Sequence, residues 1–186
     1  SSTEDSAYSY TFKASDVDSG DTVTYTATTL PSWLSFNATT GVLSGTPKNA
    51  NVGSHSVVLK AADNSGAVDI QSFTITVSNV NDTPTVTSTA VTSSTEDKAY
   101  NYTFKASDVD SGDTITYGAT TLPGWLSINA STGALSGTPT NSSVGANSVV
   151  LTATDSSGAV VTQSFTITVS NVNDTPTVTS TAVTSS

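Results

Sequence analysis

The sequence predicts an all-β protein made of two tandem antiparallel β-sandwiches of the Greek-key kind. Three observations predict this class: the chain is an internal duplication, its apolar residues alternate with period two, and turn residues separate the alternating runs. Residues 1–94 overlay residues 93–186 at an offset of 92, with roughly four positions in five identical, a period that suits tandem domains. No segment keeps the i, i+3, i+4, i+7 pattern of a helix for long enough to predict one.

Each copy contains several short predicted strands. Alternation places one face of each strand in the core. Turn signals such as Asp18-Ser19-Gly20-Asp21 lie between the strands. Trp33 is expected in the core, because aromatic side chains carry a large apolar area. In the first copy the alternating positions are Tyr8, Tyr10, Phe12 and Ala14, then Val23, Tyr25 and Ala27, then Val57, Leu59 and Ala61, then Phe73, Ile75 and Val77.

The repeat register predicts three segments: repeat 1 at residues 1–82, repeat 2 at residues 83–174, and an orphan first strand at residues 175–186. Residues 84–91 (PTVTSTAV) are interpreted as the first strand of repeat 2, and the same eight residues return at 176–183. Repeat 1 is then expected to lack its first strand, and residues 176–183 to supply it to a neighbouring molecule by head-to-tail strand exchange. A division in which residues 84–91 complete the first copy stays open.

The composition excludes several classes of partner and site. Five Lys and Arg residues against fifteen Asp and Glu residues give a net charge of -10. Such a chain has no basic patch for nucleic acid or for an anionic membrane surface. It has no apolar run of about eighteen residues, so membrane insertion is not expected. Without cysteine, disulfides, zinc–thiolate sites and thiol nucleophiles are excluded.

The acidic residues gather in turns and at strand ends. Their motifs are S-T-E-D, D-V-D-S-G-D, D-[NS]-S-G and N-V-N-D-T-P. Calcium takes about six to eight oxygens from carboxylates, amides and carbonyls, which these motifs supply. The segment 79–84 (NVNDTP) lies between the two copies and is interpreted as a calcium-binding hinge; plain solvated acidic turns are the alternative. The recurring acids are Glu4, Asp5, Asp16, Asp18, Asp21, Asp63 and Asp82, with counterparts Glu96, Asp97, Asp108, Asp110, Asp113, Asp155 and Asp174.

Each copy resembles a cadherin-like repeat of the dystroglycan type, an Ig-like domain found in bacterial surface adhesins and secreted proteins. The resemblance covers essentially the whole chain. It rests on the Glu, D-x-D and A-x-D elements, the polar linker before proline, and the L-P-[SG]-W-L-S and L-S-G-T-P elements. It implies two cadherin/Ig-like Greek-key sandwiches with calcium bound between successive repeats.

The resemblance also implies which residues hold the inter-domain calcium. The cadherin pattern has further acids where this chain has Lys48-Asn49-Ala50 and Asn79, so one or two ions are expected at the junction. The implied ligands are Glu4, Val80, Asn81, Asp82, Thr83, Asp108, Asp110 and Asp155, where Val80 and Thr83 contribute carbonyls. A weaker, incomplete set comprises Asp16, Asp18, Asp63, Glu96, Asn173 and Asp174.

The function implied by the resemblance is that of a calcium-stiffened structural repeat, a spacer or adhesive stalk in a bacterial extracellular or cell-surface adhesin. Its partners would be adjacent repeats of the same chain. The alternative is a calcium-dependent carbohydrate-binding or homophilic self-association module. An enzyme is not expected, because adjacent acids suit a cation better than a sugar held between two carboxyls. His55 becomes Asn147 in the second copy, so no Ser-His-Asp set is repeated, and His55 is expected on the surface.

Overall fold

The computed structural model describes residues 1–182 of the chain. They divide into two compact units, the first being Ser1–Asn81 and the second beginning at Asp82. In the described part of the chain, no helix is long and apolar enough to cross a membrane. The predicted strand at 176–183 is described only to residue 182, and residue 183 lies outside the described residues; residues 176–182 form no strand pair.

Unit 1 is built from two sheets. One sheet has the order β1-β7-β6-β3 and the other the order β2-β5-β4. The β1–β7 pair is parallel, and the other neighbours are antiparallel. The strands are β1 (Ser2–Thr3), β2 (Tyr8–Thr11), β3 (Thr24–Thr29), β4 (Leu34–Asn37), β5 (Val42–Gly45), β6 (Gly53–Ala62) and β7 (Val68–Ser78), with a short 3-10 helix at Asn49–Asn51.

Unit 2 repeats this architecture and adds a short third sheet. The orders are β12-β15-β16-β9, β10-β14-β13 and β11-β8. The additional pair, β8 with β11, joins the residues just after the inter-repeat linker to the edge of unit 2. The strands are β8 (Thr85–Val86), β9 (Ser93–Thr95), β10 (Tyr100–Thr103), β11 (Ala106–Ser107), β12 (Thr116–Thr121), β13 (Leu126–Ile128), β14 (Ala134–Gly137), β15 (Gly145–Thr154) and β16 (Val160–Ser170), with a 3-10 helix at Asn141–Ser143.

Each unit has its own hydrophobic core between its sheets. The predicted alternation is confirmed on the two longest strands of unit 1, where Val57, Leu59 and Ala61 on β6 and Ile75 and Val77 on β7 are buried. The long hairpins therefore supply one wall of each sandwich, as period-two patterning requires. The unit 2 core comprises Tyr100, Tyr102, Phe104, Leu126, Leu135, Val149, Leu151, Ala153, Ile167 and Val169.

The two tryptophans lie at the edge of the cores. Trp33 and Trp125 are half-buried and pack against their core clusters. Each makes an edge-to-face contact with a tyrosine, at 6.0 Å between the rings of Tyr8 and Trp33 and 5.8 Å between those of Tyr100 and Trp125. They are core-capping residues with one edge at the surface.

Candidate metal centre

The turn after β11 brings three carboxylates of unit 2 together. Ligand oxygens of Asp108, Asp110 and Asp113 lie within 4.8 Å of one another. Gly112 has a φ of 94°, a conformation that glycine adopts without steric cost, and the Asp113 amide donates to the Asp110 carbonyl at 3.3 Å. The D-V-D-S-G-D motif thus folds back on itself and places its first, third and last residues around one point.

Two carboxylate oxygens in this group are buried and have no hydrogen-bond donor. They are Asp108 Oδ2 and Asp113 Oδ2. The companion oxygens are paired: Asp108 Oδ1 accepts from the Asp110 amide at 2.8 Å, and Asp113 Oδ1 accepts from Ser156 Oγ at 2.6 Å. A buried acceptor without a donor costs about 1–3 kcal/mol. A hard cation bound by oxygen ligands would satisfy both acceptors at once, so the donor set fits calcium.

Of the two other predicted acids of unit 2, Asp82 is hydrogen-bonded to this turn and Asp155 belongs to a different turn. The Asp82 amide donates to Asp110 Oδ2 at 2.7 Å, which ties the start of unit 2 to the acidic turn. Asp155 is 6% exposed, and its Oδ1 accepts from the amides of Ser157 at 2.9 Å and Ala159 at 2.8 Å. Asp155 therefore organises its own turn, and it is not a member of the group of three carboxylates.

The predicted ligands of unit 1 surround the end of β7. Glu4 is 1% exposed, its Oε1 accepts from the Val80 amide at 2.6 Å, and its Oε2 is buried without a partner. Asn81 is exposed at the end of the unit. Glu4, Val80 and Asn81 belong to unit 1 and the other five predicted ligands to unit 2, so an ion shared by all eight stays a prediction.

The weaker predicted site of unit 1 is also an acidic turn. Ligand oxygens of Asp16, Asp21 and Asp63 lie within 4.8 Å of one another. Asp18 is fully outside this group, and its amide donates to Asp16 Oδ1 at 2.9 Å. Asp63 Oδ1 accepts from the amides of Ser65 and Ala67. The group resembles its counterpart in unit 2 but is more exposed.

The weaker predicted site of unit 2 lies where β16 ends. Glu96 is 1% exposed and accepts from the Val172 amide at 2.9 Å through Oε2. Ligand oxygens of Glu96, Asp97 and Asp174 lie within 4.8 Å of one another. The Asn173 side-chain amide donates to the Asp174 carbonyl at 3.4 Å, so Asn173 directs its amide nitrogen to the backbone.

Three acids of these groups are absent from the ligand set that the resemblance implies: Asp21, Asp97 and Asp113. Asp21 and Asp113 end the D-V-D-S-G-D motif, which is a local signal that could have included them. Asp97 has a counterpart in unit 1, Asp5, whose carboxylate pairs with Lys48 Nζ at 2.7 Å.

The family comparison identifies both units. The model of a family described as "Putative Ig domain" matches residues 1–78 and again residues 83–170. The chain belongs to this Ig-like domain family. The predicted resemblance to Ig-like and cadherin-like repeats is therefore confirmed, and so is the all-β fold class with two Ig-like repeats.

The Ig-like domains of this chain have relatives among bacterial surface proteins. The "Serine-rich adhesin for platelets" of Staphylococcus aureus is 35% identical over 146 residues, which is 77% of this chain and 6% of that relative. The form from strain MRSA252 has the same identity over the same length, covering 10% of that relative. The chain thus spans a small part of the length of the curated relatives it matches.

Solved cadherin ectodomains show the same fold at low identity. Protocadherin gamma B2 extracellular cadherin domains 1–5 match with a TM-score of 0.56 and 18% identity, over 92% of this chain and 38% of that one. Domains 3–6 of the same protein match with a TM-score of 0.54 and 19% identity, over 91% and 50%. An endo-fucoidan hydrolase of glycoside hydrolase family 107 is 29% identical over 92% of this chain and 27% of that one, with a TM-score of 0.44.

The lone histidine of the first Ig-like domain has a structural role, and the expectation that it decorates the surface is wrong. His55 is half-buried, its Nε2 lies 2.6 Å from the Asn51 carbonyl, and its ring meets Trp33 edge-to-face at 5.8 Å. In the second domain Asn147 takes the position, donating to the Ser143 carbonyl at 2.8 Å. Both side chains fasten the 3-10 helix to the strand that follows it.

Proposed function

We propose that this chain is a calcium-stiffened tandem repeat, serving as a spacer or adhesive stalk in a bacterial cell-surface adhesin. Membership of the Ig-like family and similarity to a staphylococcal adhesin support the extracellular structural role. The observation that carries the calcium proposal is the pair of buried, unpartnered carboxylate oxygens on Asp108 and Asp113, beside Asp110. No catalytic role is part of the proposal.

Electrostatics explains what calcium would do in the acidic turn. Three carboxylates within 4.8 Å of one another repel each other. A divalent cation converts that repulsion into attraction. Because the ion binds the folded form, it also raises the stability of unit 2 by mass action.

The complete proposed site extends beyond this turn. Asp108, Asp110, Asp113 and Asp155 would supply the oxygens of unit 2, with Asp82 and the Thr83 carbonyl at its start. Glu4, the Val80 carbonyl and Asn81 would complete the coordination from unit 1, and the unpartnered Glu4 Oε2 supports that role. An ion held by both units would restrict bending at residues 79–84, as expected for a stalk.

Calcium titration of the purified chain tests this proposal. We expect calcium to bind with a dissociation constant of roughly 10⁻⁴–10⁻³ M, the range of extracellular modules. Calcium should raise the melting temperature and narrow the distribution of particle lengths in small-angle scattering, and chelation should reverse both. A chain whose melting curve and scattering are the same in calcium and in chelator would contradict the proposal.

Carbohydrate binding is the second candidate function. The observation in its favour is a cavity of about 470 Å³ in unit 2, lined by Pro123, Trp125, Thr140, Ser142 and Asn147. An indole edge beside hydroxyl and amide groups suits a sugar, which offers both apolar faces and hydroxyls. A glycan array probed with and without calcium tests it, and an array without signal would reject it.

A further inference from the structure

The cavity of unit 2 differs in chemistry from the same place in unit 1. It has a volume of about 470 Å³ and is lined by the loop before β13, the 3-10 helix at Asn141–Ser143 and β15. About one aligned position in five differs between the two copies, whereas five of the seven lining positions differ. The differing pairs are Gly124 and Ser32, Thr140 and Lys48, Ser142 and Ala50, Ser143 and Asn51, and Asn147 and His55.

Gly124 leaves space in the wall of the cavity. A Cβ at this position would have no other heavy atom within 4 Å, so the space beside it is unfilled. Unit 1 has Ser32 here, which adds a hydroxymethyl group. The bare backbone of unit 2 therefore allows a ligand to approach Trp125 more closely than Ser32 allows at Trp33.

Asn147 fixes the indole of Trp125 in the cavity wall. Its Oδ1 accepts from Trp125 Nε1 at 3.0 Å, and its Nδ2 donates to the Ser143 carbonyl at 2.8 Å and to the Gly145 carbonyl at 3.1 Å. Because the one donor of the indole is satisfied, the half-buried Trp125 ring presents apolar surface to the cavity. An oriented indole of this kind is a surface on which the C–H groups of a sugar ring pack.

The indole of unit 1 is held differently. His55 Nε2 lies 2.6 Å from the Asn51 carbonyl, and its ring meets Trp33 edge-to-face at 5.8 Å. Trp33 Nε1 is buried without a hydrogen-bond partner. An imidazole and the Lys48 side chain thus replace the amide and hydroxyl groups of unit 2, so we expect no equivalent site in unit 1.

Two hydroxyl groups supply the polar side of the cavity. Thr140 Oγ1 and Ser142 Oγ lie 3.0 Å apart, and either can donate to the other. One hydroxyl hydrogen and several lone pairs then remain for a ligand. Neighbouring hydroxyls of a sugar ring also donate and accept, so they match this pair. Unit 1 has Lys48 and Ala50 at the two positions.

The charges around the cavity select against an anionic ligand. None of the described residues that line it is acidic or basic. Asn141 donates from Nδ2 to Asp174 Oδ2 at 3.0 Å, so a carboxylate adjoins the segment that carries the two hydroxyls. An acidic sugar would lose hydration in the cavity without finding a cation among the lining residues. The same lining offers no carboxylate to hold a metal ion.

We propose that this cavity binds a neutral hexose unit of a glycan without a metal ion, and that unit 1 does not. The inference rests on the carbohydrate-binding candidate described above, to which it adds the class of sugar, the independence from calcium and the restriction to one repeat. The C–H face of the sugar packs on Trp125 and Pro123, and two neighbouring hydroxyls bond to Thr140 Oγ1 and Ser142 Oγ. A tandem pair of these repeats then carries one glycan contact.

The two indole N–H signals report on the two repeats separately in an NMR titration. The nitrogen-labelled chain is titrated in chelator with glucose, galactose and mannose, and in parallel with the uronic acid of each sugar, which differs only in its carboxylate. We expect at least one neutral sugar to shift the Trp125 indole signal and the amide signals of residues 140–143 saturably. The Trp33 signal should stay unchanged, and the uronic acids should give no saturable shift.

Two variants place residues of unit 1 in the cavity of unit 2. Gly124→Ser narrows the approach to Trp125, and we expect it to weaken binding of the neutral sugar about tenfold. Ser142→Ala removes one hydroxyl and should weaken binding several-fold. Ser32→Gly and Ala50→Ser make the reverse changes in unit 1 and are the matched controls, which should leave the response of Trp125 unchanged. Because the same scaffold carries both residues at each position, the variants should fold, and melting curves check this.

A transplanted site gives the complementary test. The variant that combines Ser32→Gly, Lys48→Thr, Ala50→Ser, Asn51→Ser and His55→Asn gives unit 1 the whole lining of unit 2. We expect its Trp33 indole signal to respond to the same neutral sugar as Trp125. A correctly folded variant whose Trp33 signal does not respond would show that the lining residues do not determine binding, against the proposal.

Several results of the titration would overturn the proposal. They are a Trp125 signal that no neutral sugar shifts, uronic acids that bind as tightly as the neutral sugars, an equal response of Trp33, and binding that requires calcium. Saturable shifts confined to another surface would retain carbohydrate binding and reject this site, whereas the absence of shifts anywhere would reject both. Because the titrations are run in chelator, none of these results affects the proposal of a calcium-stiffened repeat.

Discussion

At the scale of one residue, the acidic turn of unit 2 leads to a prediction about how Asp113 affects stability. Replacing Asp113 by Asn keeps an oxygen for Ser156 Oγ, which lies 2.6 Å from Asp113 Oδ1, and removes one of three mutually repelling charges. We expect Asp113→Asn to raise stability in chelator by on the order of 1 kcal/mol. In calcium the variant should be less stable than the wild type, because the ion loses a carboxylate ligand.

The diagnostic result is that the stability difference between Asp113→Asn and the wild type changes sign between chelator and calcium. Melting curves of both proteins in the two conditions measure it. Asp69→Asn is the matched control, since Asp69 is exposed and belongs to none of the acidic groups. It should respond to calcium as the wild type does. An Asp113→Asn variant that keeps the full calcium response would show that this residue is no ligand.

The environment of Tyr100 leads to a prediction about folding stability at alkaline pH. Burial, with a smaller contribution from the neighbouring Tyr102, raises the pKa of Tyr100 from 10.0 to about 12. The unfolded chain then loses this proton at lower pH than the folded one, so the stability contribution is intact below pH 10 and is lost as the pH rises toward 12. Unfolding followed by tyrosinate absorbance should show this fall, and Tyr100→Phe should flatten it. An equally steep fall in Tyr100→Phe would assign the effect to another group.

The chemistry of the candidate site is readable from the sequence, but its membership is not. The position of the acids in turns predicts a group of carboxylate oxygens. The structure contains such a group at Asp108 and Asp110. The same motif gives different third members in the two units, although Gly20 at a φ of 102° and Gly112 at a φ of 94° share one backbone conformation. In unit 1 Asp63 joins the first and last acids of the motif, whereas in unit 2 Asp110 joins them, so the motif alone does not specify the third carboxylate. Likewise, only the fold shows that Asp108 Oδ2 and Asp113 Oδ2 lack donors.

At the scale of the element, the turn between β13 and β14 depends on one glycine. Gly133 has a φ of 67°, and a Cβ there would collide with the Phe104 carbonyl. Its own carbonyl accepts from the Phe104 amide at 2.9 Å, so the strand before β11 cannot move away without losing that bond. We expect Gly133→Ala to destabilise unit 2 by about 1–3 kcal/mol, measured by chemical denaturation.

Gly124→Ala is the control for this turn. No heavy atom lies within 4 Å of a Cβ at Gly124, and its backbone is not in the left-handed region. The substitution should leave the free energy of unfolding nearly unchanged. Equal losses in the two variants would show that glycine content, and not the contact with Phe104, sets the stability of the turn.

The long strands are predictable and the short ones are not, for a physical reason. β6 and β7 bury alternate apolar residues, so the period-two pattern of their side chains can be recognised in the sequence. β1 contains only Ser2 and Thr3, and it is fixed by parallel main-chain pairing with β7 and by the Glu4 amide donating to the Ser78 carbonyl at 3.1 Å. Main-chain pairing leaves no side-chain periodicity to read, and the three-residue 3-10 helices are too short to show one.

At the scale of the whole molecule, the proposed calcium site assigns stiffness to one part of the chain. Stiffness would come from carboxylates of the turn at 108–113 and the linker at 79–84. The turn carries three carboxylates, so calcium and ionic strength should act strongly on this property.

This placement predicts that neutralising the turn removes the stiffening. Asp108→Asn combined with Asp110→Asn should abolish the calcium-dependent rise in melting temperature and the calcium-dependent change in small-angle scattering, because two of the three carboxylates of the turn are lost. The measurements are melting curves and scattering of the wild type and the double variant, each in calcium and in chelator. A double variant that keeps the full calcium response would place the metal centre outside this turn.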